Sequence, residues 1–323
     1  MPMLYPLRFS PIFRRYIWGG RRLATQLGKS LGPGDDYAES WELCDHGPDQ
    51  SVVSGGPLAG LTLGELVAQH GSELFGRHHP QPRFPLLVKF LDAASSLSVQ
   101  VHPDDSQAAK LCPPDAGKTE AWVILATEPG STIYAGLNSG VTRQSLADAI
   151  GQGTCQQFLH SFQPMPGDCI FLPAGTVHAL GQGLLVAEIQ QSSDVTYRLF
   201  DWNRLGPDGK PRALHVQEGL AVVDFQRGPV DPQQPQPTGQ PGIARLVACD
   251  KFCLDRWEFD HPATIGGDQR CHILCILEGS LQIEGDPLPT ALLRGTTALL
   301  PASLGPVSLV PQGPAVLLDA YLP

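Results

Sequence analysis

Residues 166–178, Pro166-Gly-Asp-Cys-Ile-Phe-Leu-Pro-Ala-Gly-Thr-Val-His178, have the form G-x5-P-x-G-x2-H, running from Gly167 through Pro173 and Gly175 to His178. Gly167-Asp168 predicts a turn into the apolar strand that follows. Pro173 and Gly175 then predict a sharp bend that presents His178 inward. The stretch Leu97-Ser-Val-Gln-Val-His-Pro-Asp-Asp105 has a related character. Side chains of a strand alternate, so Leu97, Val99 and Val101 share one face and Ser98, Gln100 and His102 the other. A hydroxyl, an amide and an imidazole on one face are groups that a metal or polar ligand uses and packing does not require. Taken alone, His102 reads better as a hydrogen-bonded, semi-buried residue, so the case for a ligand has to come from the rest of the chain.

Outward from these two stretches the chain reads as short strands and turns. Phe84–Leu91 is a central strand with one misfit, Lys89, which either snorkels to the edge or contacts an anion. Lys118–Leu125 is another strand, with Lys118, Glu120 and Trp122 on a shared face, and Tyr37–Leu43 carries Glu39 or Glu42 toward a polar face. From Leu184 to Arg198, the residues Glu188, Gln190, Ser192, Asp194, Thr196 and Arg198 have equal parity and share one face if the strand is unbroken. A helix is predicted from Thr62 to Phe75, with Thr62 and Glu65 as a capping box. Shorter helices are predicted after Asp104, around 146–150 and over 214–225, and residues 226–241 form a Pro/Gln-rich linker or surface loop. Gly295–Pro306 repeats the spacing of 167–178, with Ser303 for the second glycine and Pro306 for the histidine, which suggests a duplicated β module whose second copy has lost its metal ligand.

Composition agrees with a mostly β architecture. The chain has 323 residues with 35 Gly and 31 Pro, enough for one large or two ordinary domains. Its formal net charge of −10 argues against nucleic acid or an anionic membrane as partner, though a local convergence of Lys and Arg still permits a small anionic ligand. No segment approaches the roughly 18–20 apolar residues of a membrane span, and Met1–Pro6 lacks the pattern of a secretory signal, so a cytoplasmic protein with reduced cysteines is expected. Cys249-x3-Cys253 and Cys271-x3-Cys275 read as buried thiols rather than a four-thiolate zinc site.

The G-x5-P-x-G-x2-H run resembles the second motif of the cupins, double-stranded β-helix (jelly-roll) barrels that hold a metal between two motifs. Their first motif is altered here to Gln100-Val-His102, with Glu120 following after a short helical insertion. Together, FPLLVKFLDAASSLSVQVHPDD, GKTEAWVIL, PAGTVHALGQG and EIQQSSDVTYRLFDWNR, in that order, resemble the type I mannose-6-phosphate isomerases in their short bacterial form, through most of residues 8–225. The resemblance implies a mostly β chain in three parts. Residues 1–225 form a metal-binding catalytic cupin domain with helical insertions, 226–241 a linker or loop, and 242–323 a degenerate second cupin-like domain.

The same resemblance implies one Zn2+ per chain, bound at His102, Glu120 and His178 with Gln100 as a further ligand, and Asp105 or Thr119 as residues that orient them. It implies an active-site arginine at Arg198, a catalytic or oxygen-holding Lys118, and a sugar-phosphate pocket that includes Ser98, Lys89 and Glu39. The expected reaction is the interconversion of mannose 6-phosphate and fructose 6-phosphate through an enediolate, by a monomer or weak homodimer. A zinc-bound hydroxide, Glu188 or another carboxylate stays open as the base; Arg198 is excluded because guanidinium stays protonated. Two other classes share the ligand set: a mononuclear iron dioxygenase, which does not need converging Lys118 and Arg198, and a non-enzymatic sugar-binding cupin.

Overall fold

Leu86–Ala93 is buried along its whole length, as a strand must be when both faces of its sheet are covered. In the computed structural model, which describes residues 4–111, 113–206 and 209–323, it lies inside a six-stranded antiparallel sheet. The order is Cys169–Leu172, Glu120–Thr127, Leu184–Gln191, Leu86–Ala93, Tyr37–Leu43, Ile12–Gly20. One face of this sheet meets a five-stranded sheet ordered Leu159–Phe162, Ile133–Leu137, His178–Leu180, Val99–Val101, Tyr197–Phe200. Leu91, Ile124, Ile170 and Val186 of the first pack with Ile133, Ala135 and Leu180 of the second. This is the expected double-stranded β-helix, with one refinement. Among the described residues no ladder joins the outer strands of the two sheets, so they face each other without closing into a barrel.

The opposite face of the six-stranded sheet is equally apolar. Val88, Phe90, Ala121, Val123, Ala187 and Ile189 share one cluster with Leu254, Ile273, Cys275, Leu318 and Ala320. These come from a second six-stranded sheet formed by Gln236–Pro237, Ile243–Ala248, Cys253–Phe259, Ala315–Tyr321, His272–Glu278 and Thr297–Leu300. Alternation does the rest: Ile273 and Cys275 point toward the first unit, while Leu274 and Ile276 pack into a separate cluster with Leu281 and Leu309 of a facing four-stranded sheet. The repeated spacing has a structural counterpart. Cys169–Leu172 and Thr297–Leu300 each end a six-stranded sheet, and after a bend His178–Leu180 and Pro306–Pro311 each enter the facing sheet. Pro306 therefore stands where the first unit has its histidine.

The helix Leu63–Phe75 carries the predicted capping box, Thr62 with Glu65, and buries Leu63, Leu66 and Leu74. Short helices occur at Asp105–Ala108, Arg143–Gln152 and Val216–Val222. The Pro/Gln-rich stretch is first laid along the first unit, where Val230 N donates to Ala135 O (3.1 Å) and Gln233 N to Cys169 O (2.7 Å), and then joins the second unit's sheet at Gln236–Pro237. The strand from Leu184 does not run unbroken to Arg198. It ends at Gln191, and residues 192–196 carry the chain across to the five-stranded sheet. Gln190 holds that crossing by donating from Nε2 to the carbonyls of Gln191 (2.8 Å) and Ser193 (2.6 Å), and Ser192 Oγ donates to Asp45 O. The seven cysteines among the described residues are free thiols, all buried except the intermediate Cys249. Among the described residues no helix is long and apolar enough to cross a membrane.

Candidate metal centre and substrate cavity

Three neighbouring strands bring His178, Gln100 and Arg198 into register, since His178 pairs with Gln100 and Gln100 with Arg198. The bend at Gly175 supports this placement: its φ is +86°, and its N–H donates to His102 O (2.9 Å), locking the second motif onto the end of the first. Glu120 opens the opposing strand. The ligand-capable atoms of His102, Glu120 and His178 lie within 4.8 Å of one another, and all three residues are buried. Glu120 Oε1 is 3.3 Å from His178 Nε2, and Oε2 is 3.7 Å from His102 Nε2.

The donor set fits a divalent cation. His102 Nδ1 bonds to Val195 O (2.8 Å) and His178 Nδ1 to Thr176 O (2.9 Å), which places the ring proton on Nδ1 and turns the Nε2 lone pairs inward. Burial, with the Lys118 charge adding to it, holds His102 well below the usual histidine range; burial likewise brings His178 down to about 4, so both imidazoles are neutral at pH 7. Burial raises Glu120 to about 7 against the pull of Lys118, and its buried Oε1 accepts no hydrogen bond. A bound cation would add positive charge on the Oε1 side of this carboxylate, opposite the Lys118 contact at Oε2. Gln100 Nε2 is 3.3 Å from His178 Nε2, and a half-turn of the amide puts Oε1 in that place. The residues anticipated as orienting groups act elsewhere: Asp105 Oδ1 accepts from Gly117 N and Gln191 Nε2, and Thr119 Oγ1 from Ala174 N. Backbone carbonyls orient the two rings instead.

Beside this centre opens a cavity of about 280 Å³ whose lining includes Glu39, Lys89, Ser98, Gln100, Lys118 and Arg198. Every residue anticipated for the sugar-phosphate pocket therefore faces one space. Lys118 Nζ stands 2.7 Å from Glu120 Oε2 and 3.2 Å from His102 Nε2, at the junction of centre and cavity. Lys89 is buried, with Nζ 3.4 Å from Glu188 Oε1 and 3.6 Å from Glu39 Oε2. Burial disfavours its charge, but those two carboxylates raise its pKa above the ordinary lysine value. Burial acts upward on Glu188, and Lys118 and Lys89 outweigh it to hold the carboxyl below its usual range; Trp122 Nε1 also donates to its Oε2 at 2.8 Å. Glu188 is thus an ionised carboxylate facing the cavity.

The catalytic-domain model of the type I phosphomannose isomerases matches residues 6–129. Mannose-6-phosphate isomerase ManA of Bacillus subtilis is 35% identical over 308 residues, covering 94% of this chain and 95% of that one. The chain belongs to the type I phosphomannose isomerase family. Mannose-6-phosphate isomerase of Streptococcus mutans is a further relative, 32% identical over 304 residues and 94% of each chain. The crystal structure of the Bacillus subtilis mannose 6-phosphate isomerase superposes on this family member with a TM-score of 0.90 at 31% identity, covering 99% of this chain and 100% of that one.

In this phosphomannose isomerase family member, sequence reasoning missed Arg212, which lines the cavity together with Tyr16, Trp18, Asp194 and Thr196. Arg212 lies in an irregular loop with no periodicity to give its direction. The available signal was the density of Arg198, Arg204, Lys210 and Arg212 in an otherwise acidic chain.

Proposed function

We propose that this protein interconverts mannose 6-phosphate and fructose 6-phosphate, with His102, Glu120, His178 and Gln100 holding one zinc ion beside the substrate. The observation that carries the reading is the buried His–Glu–His cluster beside a cavity lined by Lys89, Lys118 and Arg198, with Lys118 touching both. The two sugars differ in the position of a carbonyl between C1 and C2, so a proton leaves C2 and returns at C1 through an enediolate. Bound zinc supplies Lewis acidity that steadies negative charge on the substrate oxygens.

The rest of the work falls to the chain's own groups. Glu188 is held ionised by Lys118 and Lys89 and faces the cavity, so it is the group we assign to carry the proton between C2 and C1. Lys118 holds a sugar oxygen next to the metal ligands and assists ring opening. Arg198, whose guanidinium cannot act as a base, positions the substrate and stabilises negative charge. Ser98, Lys89 and Glu39 orient the hydroxyls, and the apolar walls of Trp18, Leu91 and Leu97 keep water from the reacting carbons. The test is a coupled assay on mannose 6-phosphate under anaerobic conditions. Turnover there supports the isomerase and rejects an oxygen-dependent enzyme. Metal-loaded protein that turns over no sugar phosphate leaves the sugar-binding cupin instead.

A further inference from the structure

The cavity is unevenly charged. Next to the ligand cluster each cation has a carboxylate: Lys118 has Glu120, and Lys89 has Glu188 and Glu39. Elsewhere the lining holds Arg198 and Arg212, and behind them lie Arg204 and Asp201. Asp201 accepts from Arg212 Nε at Oδ2 (2.7 Å) and Arg212 Nη2 at Oδ1 (2.6 Å), and from Arg204 Nε (3.1 Å) and Nη2 (2.8 Å) at Oδ1. Arg198 has no carboxylate partner among the described residues. Its Nη1 donates to Ala213 O (2.9 Å), and its buried Nε has no acceptor. Arg198 and Arg212 both line the cavity. Asp194, the remaining acid of the lining, acts on Tyr16 and Lys89, whereas the charges acting most on Arg198 are Arg212, Asp201 and Arg204. Among the described residues of this loop region, Asp201 is the one carboxylate bonded to any of the three guanidiniums of Arg198, Arg204 and Arg212.

The arrangement is also preorganised. The two bonds from Arg212 Nε and Nη2 to Asp201 fix the plane of its guanidinium and leave Nη1 for a ligand. Between Asp201 and Arg204, Trp202 and Asn203 both take left-handed backbone conformations, φ 57° and 54°, which are strained for non-glycine residues. Trp202 Nε1 fastens that turn by donating to Leu97 O (2.6 Å), and Leu97 is itself part of the cavity wall. The Nη1 edge of a guanidinium held in a fixed plane, lining the same cavity as Arg198, which has no carboxylate bonded to it among the described residues, matches a phosphate dianion, whose oxygens accept charged N–H bonds.

We propose that Arg212 binds the phosphate group of the substrate and that Asp201 is its positioning residue; this rests on the isomerase reading above. The test compares wild type, Arg212→Met, Arg212→Lys and Asp201→Asn, each metal-loaded and checked for folding by a thermal melt. The readouts are kcat and KM for mannose 6-phosphate and calorimetric binding of inorganic phosphate. For Arg212→Met, KM and the phosphate Kd each rise about 30-fold, equivalent to about 2 kcal/mol at 1.4 kcal/mol per tenfold, with kcat within about threefold of wild type. Arg212→Lys recovers part of the loss, and Asp201→Asn raises KM by about five- to tenfold at unchanged kcat. KM and phosphate Kd both within about threefold of wild type in Arg212→Met overturn the proposal, as does a fall in kcat at constant KM. If wild type turns over no mannose 6-phosphate yet Arg212→Met still weakens phosphate binding, the isomerase reading fails and the anion site stands.

Discussion

Trp122→Phe isolates one hydrogen bond in the proposed proton-transfer apparatus. Trp122 is 1% exposed, stacks edge-on against His178 at 5.3 Å, and donates from Nε1 to Glu188 Oε2 at 2.8 Å. Phenylalanine keeps an aromatic ring against His178 and removes the donor. A hydrogen bond to a charged group contributes about 1.5–3 kcal/mol, and at about 1.4 kcal/mol per pH unit its loss raises the Glu188 pKa by about one to two units. The sign follows because the indole N–H stabilises only the ionised carboxylate: removing it makes protonation easier, so Glu188 becomes protonated at higher pH. The assay is kcat/KM for mannose 6-phosphate across the acid range, where the acid limb reports the free enzyme's base. The limb moves up by one to two units, with little change on the plateau. A folded variant whose acid limb stays within about 0.3 unit of wild type refutes Glu188 as the base.

Three other outcomes follow from the structure. Arg198→Ala keeps its metal but loses at least about 100-fold in kcat, an estimate for a lost electrostatic stabiliser; metal analysis and steady-state kinetics check it, and unchanged kcat removes Arg198 from the mechanism. Burial disfavours charge on His272, but Asp319 and Asp268, both bonded to its ring, bring it up to about 9. A folded-state pKa above the unfolded 6.5 means stability that is complete below pH 6.5 and lost as pH rises through 9, about 3 kcal/mol in all; urea midpoints at pH 6 and 10 that coincide count against it. Phe252 is fully buried where the two β units meet, facing Phe171, so Phe252→Ala costs about 3–5 kcal/mol, and wild type melts in a single calorimetric transition; two separated transitions contradict a shared core.

The His102–Glu120–His178 set was anticipated through the family resemblance, and local patterns gave only the direction of some of its members. Alternation put His102 and Gln100 on one face, and the Gly–Pro–Gly bend aimed His178. The crossing at 192–196 was not legible, because equal parity of polar residues persists through it while Gln190 and Ser192 turn to backbone carbonyls. The groups that orient the imidazoles, Val195 O and Thr176 O, are backbone atoms and carry no residue-type signal. Lys89 shows what strand patterning can and cannot do: it marked a misfit in a buried strand, but Glu39 and Glu188, which hold its charge, come from strands distant in sequence. The second unit's echo at 295–306 was visible, yet its back-to-back stacking on the first depends on which apolar face meets which, and that is settled only by the assembled sheets.

The central claim is that His102, Glu120 and His178 hold a metal needed to isomerise mannose 6-phosphate. It is tested most directly by measuring metal content and mannose 6-phosphate turnover on the same samples of wild type and His178→Ala. The account predicts about one equivalent of metal in wild type, activity abolished by chelation and restored by zinc, and loss of both metal and activity in the variant. Full turnover by metal-free wild type, or by His178→Ala, contradicts it.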